Sequence, residues 1–173
     1  MHALTSDQSY LDDAASLFAA VQKYLTAPTP TAKSVLYEKA CSPDPMCTWV
    51  DPPLPTACKC DNNQMIFKGI VARYLMYTRD YLAALAAREA REASVSGGAG
   101  RLTTGGGGTA AAAASAIDAF LRLNANVAWE SARNSVGDFG IFWQGPVFGA
   151  VPSNTANTNQ AVLDLLVATV DAT

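Results

Sequence analysis

The chain has 173 residues, half of them hydrophobic, and its 12 basic and 15 acidic residues give a net charge of −3. This balance fits a globular domain or a piece of a larger one. The basic residues form no stripe, which argues against nucleic acid binding. Charged residues interrupt the two longest apolar segments, at Asp118 and Arg122 and at Asp164, so neither is predicted to span a membrane.

The first predicted element is a helix over about residues 7–25, with Ser6 as a candidate N-cap. Its apolar residues recur every three or four positions and would face one side: Leu11, Ala14, Phe18, Val21 and Leu25. Pro28 and Pro30 end the helix. Asp12 and Asp13 fall near its start, where acidic groups suit the helix dipole, and both are predicted to be exposed to solvent.

A loop rich in proline and cysteine follows, over residues 28–59. All four cysteines lie close together, at Cys41, Cys47, Cys58 and Cys60. This crowding favours two disulfides formed in an oxidising compartment, with three possible connectivities. A structural zinc site is the alternative, but the gaps of five, ten and one residues do not fit paired ligands, and the only histidine is His2. We expect no metal and no cofactor.

The second predicted helix covers about residues 62–91 and begins with the most informative polar cluster in the chain. Asp61 and the Asn62-Asn63 pair are natural N-cap candidates, and Gln64, Phe67 and Lys68 follow within two turns. On residue types alone, an ordinary capped helix with a solvated Lys68 is the simpler interpretation. The predicted buried stripe comprises Phe67, Ile70, Val71, Tyr74, Leu75, Thr78, Tyr81 and Leu82. The helix should end in a solvated tail, ALAAREARE.

Residues 94–108 are low in complexity and rich in glycine, which predicts a flexible insertion. A phosphate-binding loop is not favoured, because no strand precedes the glycines and no Gly-Lys-Ser/Thr follows them.

Two further helices are predicted, over about residues 109–134 and 158–170. The first buries an apolar stripe that includes one polar residue: Ile117, Phe120, Leu121, Asn124, Val127 and Ala128. A buried amide must find partners, so Asn124 is expected to bridge two helices or to face a polar cleft, and the bridge is favoured. No strand pattern was found, and the predicted fold class is all-α.

Four sequence blocks resemble glycoside hydrolase family 76, the endo-α-1,6-mannanases and their fungal wall-remodelling relatives. They are LTSDQSYLDDAASL at 4–17, VLYEKAC and FKGIVARYL within 35–75, NANVAWESARNS and FGIFWQGP within 124–146, and QAVLDLLVA at 160–168. The pattern FKG-x-x-x-RYL is the most specific of these. The resemblance covers nearly the whole chain, and the glycine-rich stretch at 94–108 departs from it.

The resemblance implies a partial (α/α)6 toroid, in which residues 1–173 form the C-terminal half of the family's domain. It also implies a retaining mechanism with two carboxylates. The family's catalytic pair is two consecutive aspartates followed by aromatic residues, in the N-terminal half. Asp12 and Asp13 are followed by alanines and fall in a different block, so no catalytic residue is predicted in this chain.

The same resemblance implies that helix starts line a groove for α-mannan or another mannosyl glycan. Asp61, Gln64, Phe67 and Lys68 would lie near sugar hydroxyls, and Glu38 and Trp143 could lie on the rim.

Three functions stay open: hydrolysis of mannan, transglycosylation that joins cell-wall glycans, and glycan binding without catalysis. The full-length protein is expected to be secreted or associated with the cell wall, although the N-terminal segment lacks the pattern of a signal peptide. Half a toroid would expose apolar helix faces, which predicts self-association.

Overall fold

The computed structural model describes residues 9–28, 32–37, 66–95, 106–133, 135–139 and 156–170. In chain order these contain α1 (Ser9–Tyr24), β1 (Thr26–Ala27), β2 (Val35–Leu36), α2 (Phe67–Val95), α3 (Gly106–Ser131) and α4 (Ala156–Val167). The predicted all-α class is confirmed. Whether these helices form part of a toroid stays a prediction.

A short antiparallel ribbon joins α1 to the rest of the fold, although no strand was predicted. Thr26 pairs with Leu36, and Ala27 pairs with Val35. Strands of two residues are too short to show the alternation by which strands are recognised in a sequence. Val35 and Leu36 are both buried and belong to the core.

The helices differ from their predicted bounds mainly around the glycine-rich stretch. Helix α2 continues to Val95, and α3 begins at Gly106, so both extend into the segment predicted as an insertion. Residues 96–105 lie outside the described residues.

The core is formed largely by α2, α3 and α4, and α2 packs most extensively against α3. The six residues predicted for the buried stripe of α3 are all buried, Asn124 among them. Leu11 and Phe18 of α1 are also buried, as predicted, and Phe18 makes an edge-on ring contact with Phe120. Leu25 is more exposed than predicted, because it follows the last residue of α1.

The predicted buried face of α2 is confirmed only in part, since Val71 and Tyr81 of the predicted stripe pack against the core but are only partly buried. The residues that face the core are Lys68, Gly69, Ala72, Leu75, Arg79, Leu82 and Leu85. Only Leu75 and Leu82 were in the predicted stripe, whereas Phe67 and Tyr74 are 44% and 66% exposed. The helix turns its small residues inward because these let the backbones of α2 and α4 approach: a Cβ on Gly69 would lie 2.6 Å from Ala161 Cα.

A buried arginine links α2, α3 and α4. Arg79 Nη1 of α2 donates to Asp118 Oδ1 of α3 (3.0 Å) and to the carbonyl oxygen of Ala168 (2.7 Å), just beyond α4. The last carbonyls of a helix lack intrahelical partners, so Arg79 satisfies one of them. Hydrogen bonds from Arg122 and Arg79 lower the pKa of Asp118 despite its partial burial, with the Arg122 bond as the largest cause.

Candidate functional site

A cleft of about 200 Å³ opens where the ribbon meets the first turns of α2. Seven residues line it: Leu25, Leu36, Tyr37, Phe67, Lys68, Ile70 and Val71. Pockets that enclose drug-sized ligands usually measure roughly 300–1,000 Å³. This cleft is therefore suited to one ring-sized group, with the remainder of a longer ligand outside it.

The lining combines an apolar surface with one cation. The side chain of Phe67 is partly exposed at the cleft, while Lys68 is only 6% exposed. An ammonium group supplies three hydrogen-bond donors, and an aromatic ring supplies a flat apolar face. On residue types alone, Lys68 was expected to be solvated. This expectation is wrong, because Lys68 lies on the buried face of α2.

Of the six predicted sugar-binding residues, the structure brings two together. Phe67 and Lys68 both line the cleft. The other four lie outside the described residues, as do all four cysteines: Asp61, Gln64, Glu38 and Trp143, with Cys41, Cys47, Cys58 and Cys60. In sequence, Glu38 directly follows Tyr37, and Gln64 lies three residues before Phe67.

The prediction missed the wall contributed by the ribbon and its flanks. Leu25, Leu36 and Tyr37 come from a segment at least thirty residues before Phe67, and only the fold brings the two segments together. Their one sequence signal was the VLYEKAC block, which contains Leu36 and Tyr37.

The ribbon wall is attached to α3 through Asn124, which is completely buried. Its Oδ1 atom accepts the Leu36 N–H at 2.6 Å, and its Nδ2 atom donates to the carbonyl oxygens of Phe120 (2.9 Å) and Ser34 (3.3 Å). The favoured bridging role of Asn124 is therefore observed, but the amide joins a helix to a strand instead of joining two helices.

The opposite wall, at the start of α2, is attached to α4. Gly69 lies against the backbone of Ala161, and Arg73 pairs with Asp164 at 2.6 Å. Gln160 donates a second hydrogen bond to the same Asp164 oxygen. The hydrogen bond with Asp164 also raises the pKa of Arg73.

A second anchored segment lies just before Trp143 in the sequence. The Phe139 N–H donates to Asn159 Oδ1 at 2.7 Å, and Asn159 Nδ2 donates to Asp138 at 3.3 Å. The ring of Phe139 packs against Trp129, with 5.8 Å between centroids. These contacts hold residues 135–139 against α3 and α4, and Gly137 turns the chain there with a φ of 96°.

Nothing in the described cleft supplies a pair of reacting carboxylates. Its described lining contains no Asp or Glu. Asp12 and Asp13 are exposed on α1, as predicted, and consecutive helical residues point about 100° apart. Among the described residues, no group of three or more His, Cys, Asp or Glu could hold a metal ion.

In the part of the chain that the structure describes, no helix combines the length and apolarity needed to cross a membrane.

Comparison with known families gives a match. The sequence model of Glycosyl hydrolase family 76 matches residues 1–99. This range contains α1, the ribbon and α2, and therefore every residue that lines the cleft. Helices α3 and α4 lie beyond the matched range. Comparisons with curated proteins and with solved structures gave no match. Because the matched range exceeds half of the chain, this protein belongs to glycosyl hydrolase family 76.

Proposed function

We propose that this chain forms one wall of the substrate groove of a glycoside hydrolase acting on α-1,6-linked mannan, and that the cleft holds one mannosyl unit. Family membership supports a glycan as the substrate class. The observation that carries the proposal is that an exposed aromatic side chain, Phe67, and a lysine, Lys68, share a ring-sized cleft inside the matched range.

The cleft chemistry suits a neutral sugar. A hexose presents C–H groups on one face, which pack on an aromatic ring, and hydroxyls at its edge, which accept hydrogen bonds from an ammonium group. In this proposal Phe67 packs against the sugar ring and Lys68 donates to a hydroxyl oxygen. Tyr37, Ile70 and Val71 exclude water from the apolar side.

Cleavage with retention needs two carboxylates about 5–5.5 Å apart, one as nucleophile and one as acid and base. We assign neither role to Asp12 or Asp13, because both are exposed near the start of α1. In this account the chain binds glycan, and other carboxylates of the family's domain break the glycosidic bond. The second candidate is a glycan-binding module without catalysis, which the same aromatic ring and lysine would serve.

An NMR titration with α-1,6-linked mannotetraose tests this proposal. Lys68→Met keeps the length of the side chain but removes its donors, and Phe67→Ala removes the ring. Each variant is expected to weaken binding about tenfold, because the loss of one hydrogen bond from a charged donor, or of one ring contact, corresponds to roughly 1–2 kcal/mol.

Tyr74→Ala is the matched control. Tyr74 is an exposed aromatic residue on the same helix and does not line the cleft, so its removal should leave the affinity unchanged. The proposal is wrong if the wild-type protein does not bind the oligosaccharide, or if all three variants bind it as the wild type does.

A further inference from the structure

The outer edge of β2 is completed by a side chain. On its inner edge β2 pairs with β1, and the Tyr37 N–H donates to the carbonyl oxygen of Leu25 at 2.8 Å. On its outer edge the amide of Asn124 bonds two backbone groups: it accepts from the Leu36 N–H and donates to the Ser34 carbonyl.

This arrangement reproduces the pairing of a parallel strand. In a parallel sheet, one residue of the neighbouring strand bonds the N–H of the residue after its partner and the C=O of the residue before it. Asn124 makes this pair of bonds on either side of Val35, so its side-chain amide replaces the backbone of a third strand. The additional bond to the Phe120 carbonyl fixes the orientation of the amide on α3.

The strand needs this support because it is very short. A two-stranded ribbon is at best marginally stable by itself, and here each strand has two residues. Leu36 and Tyr37 nevertheless form the wall of the cleft that faces Phe67 and Lys68. The width of the cleft therefore depends on where α3 holds β2.

We propose that Asn124 is a positioning residue for glycan binding: its amide fixes β2, and β2 fixes the Leu36–Tyr37 wall of the cleft. This inference rests on the proposed function of the cleft. It extends the site to α3, which lies beyond the range that the family model matches. A purely apolar residue could fill the volume of Asn124 in the core but could not hold the strand edge.

The test compares two variants, Asn124→Leu and Asn124→Asp. Leucine has a side chain of similar size but makes none of the three hydrogen bonds. The aspartate keeps an acceptor for the Leu36 N–H and loses the donors to Ser34 and Phe120. Val162→Ala is the control, because Val162 is fully buried on α4 and does not line the cleft. Three quantities are measured: the melting temperature, the hydrogen-exchange rate of the Leu36 amide, and the affinity for α-1,6-linked mannotetraose.

Asn124→Leu should speed exchange of the Leu36 amide about tenfold and weaken mannotetraose binding to a similar degree. Asn124→Asp should fall between Asn124→Leu and the wild type, and it serves as the test if Asn124→Leu does not fold. Val162→Ala should lower the melting temperature without changing either of the other two quantities.

The positioning role is refuted if both Asn124 variants keep the wild-type exchange rate at Leu36, or if their affinity falls no more than that of Val162→Ala. If the wild-type protein binds no mannotetraose, the proposed function fails. The methyl NMR signals of Leu36 and Val71 then decide the structural part: shifts in Asn124→Leu but not in Val162→Ala support control of the cleft by Asn124, and unchanged signals refute it.

Discussion

Replacing Gly69 by alanine tests how the start of α2, with its cleft residues, is held against α4. A Cβ atom at this position would lie 2.6 Å from Ala161 Cα and 3.0 Å from the Ala161 carbonyl oxygen. Both atoms belong to the backbone, so no side-chain rotation can relieve the contact. The two helices must move apart, and the first turn of α2, which carries Lys68, must move with them.

Two effects of opposite sign set the size of the change. Overpacking of a well-packed contact costs about 1–3 kcal/mol, whereas alanine is favoured over glycine inside a helix by about 1 kcal/mol. The overpacking cost should exceed the gain in helix propensity, because the Ala161 backbone cannot move without moving the rest of α4. We expect Gly69→Ala to lower the free energy of unfolding by up to about 2 kcal/mol.

Gly108→Ala is the matched control, because Gly108 lies in α3 and a Cβ there would meet nothing within 4 Å. It should raise the free energy of unfolding by up to about 1 kcal/mol. Urea denaturation followed by circular dichroism at 222 nm measures both variants. If Gly69→Ala stabilises the protein as much as Gly108→Ala does, the close approach of α2 and α4 is wrong.

Four further predictions follow from the described contacts and from the sequence. Arg79→Met should lower the free energy of unfolding by about 2–3 kcal/mol in chemical denaturation, because it removes the buried donor to the Ala168 carbonyl and one of the two arginine partners of Asp118. Arg88→Met removes an exposed ion pair and should change it by less than about 1 kcal/mol. The pKa of Asp118 is lowered in the folded state, so its ionised form stabilises the fold fully above its ordinary pKa of 3.8, and this contribution is lost as the pH falls through the lower folded pKa. Asp118→Asn should therefore make the free energy of unfolding depend less steeply on pH below about 4, and an unchanged slope would contradict this. The four cysteines should give no thiol signal with Ellman's reagent in denaturant until a reductant is added, and free thiols before reduction would refute the predicted disulfides. Sedimentation velocity should show association that increases with concentration, because several large apolar side chains are exposed, and a stable monomer would argue against it.

The sequence predicted α3 well and α2 poorly, for a physical reason. In α3 the apolar side chains are also the buried ones, so the periodicity of hydrophobic residues identifies the correct face. In α2 the contact with α4 depends on Gly69, and the contact with α3 includes the buried Arg79. The spacing of hydrophobic residues does not reveal a glycine that is buried because it is small, or an arginine that is buried because it is paired with a carboxylate.

The candidate site was predicted only on its α2 side. Phe67 and Lys68 belong to one helical motif, so the resemblance to a known family was enough to identify them. The opposite wall depends on a two-residue strand and on an amide 88 residues away from Leu36, and neither leaves a local pattern. Besides the VLYEKAC block, the polar residue on the α3 stripe was a signal, because a buried amide requires partners.

A single NMR titration with α-1,6-linked mannotetraose tests the central claim that this chain binds glycan through the cleft and does not cleave it. The account predicts that amide signals of Leu36, Tyr37, Phe67 and Lys68 shift on addition of the oligosaccharide, while its anomeric signals stay those of the intact tetramer. The account is contradicted if those four amides do not respond, or if the wild type hydrolyses the oligosaccharide; loss of that hydrolysis in Asp12→Asn or Asp13→Asn would assign it to this pair.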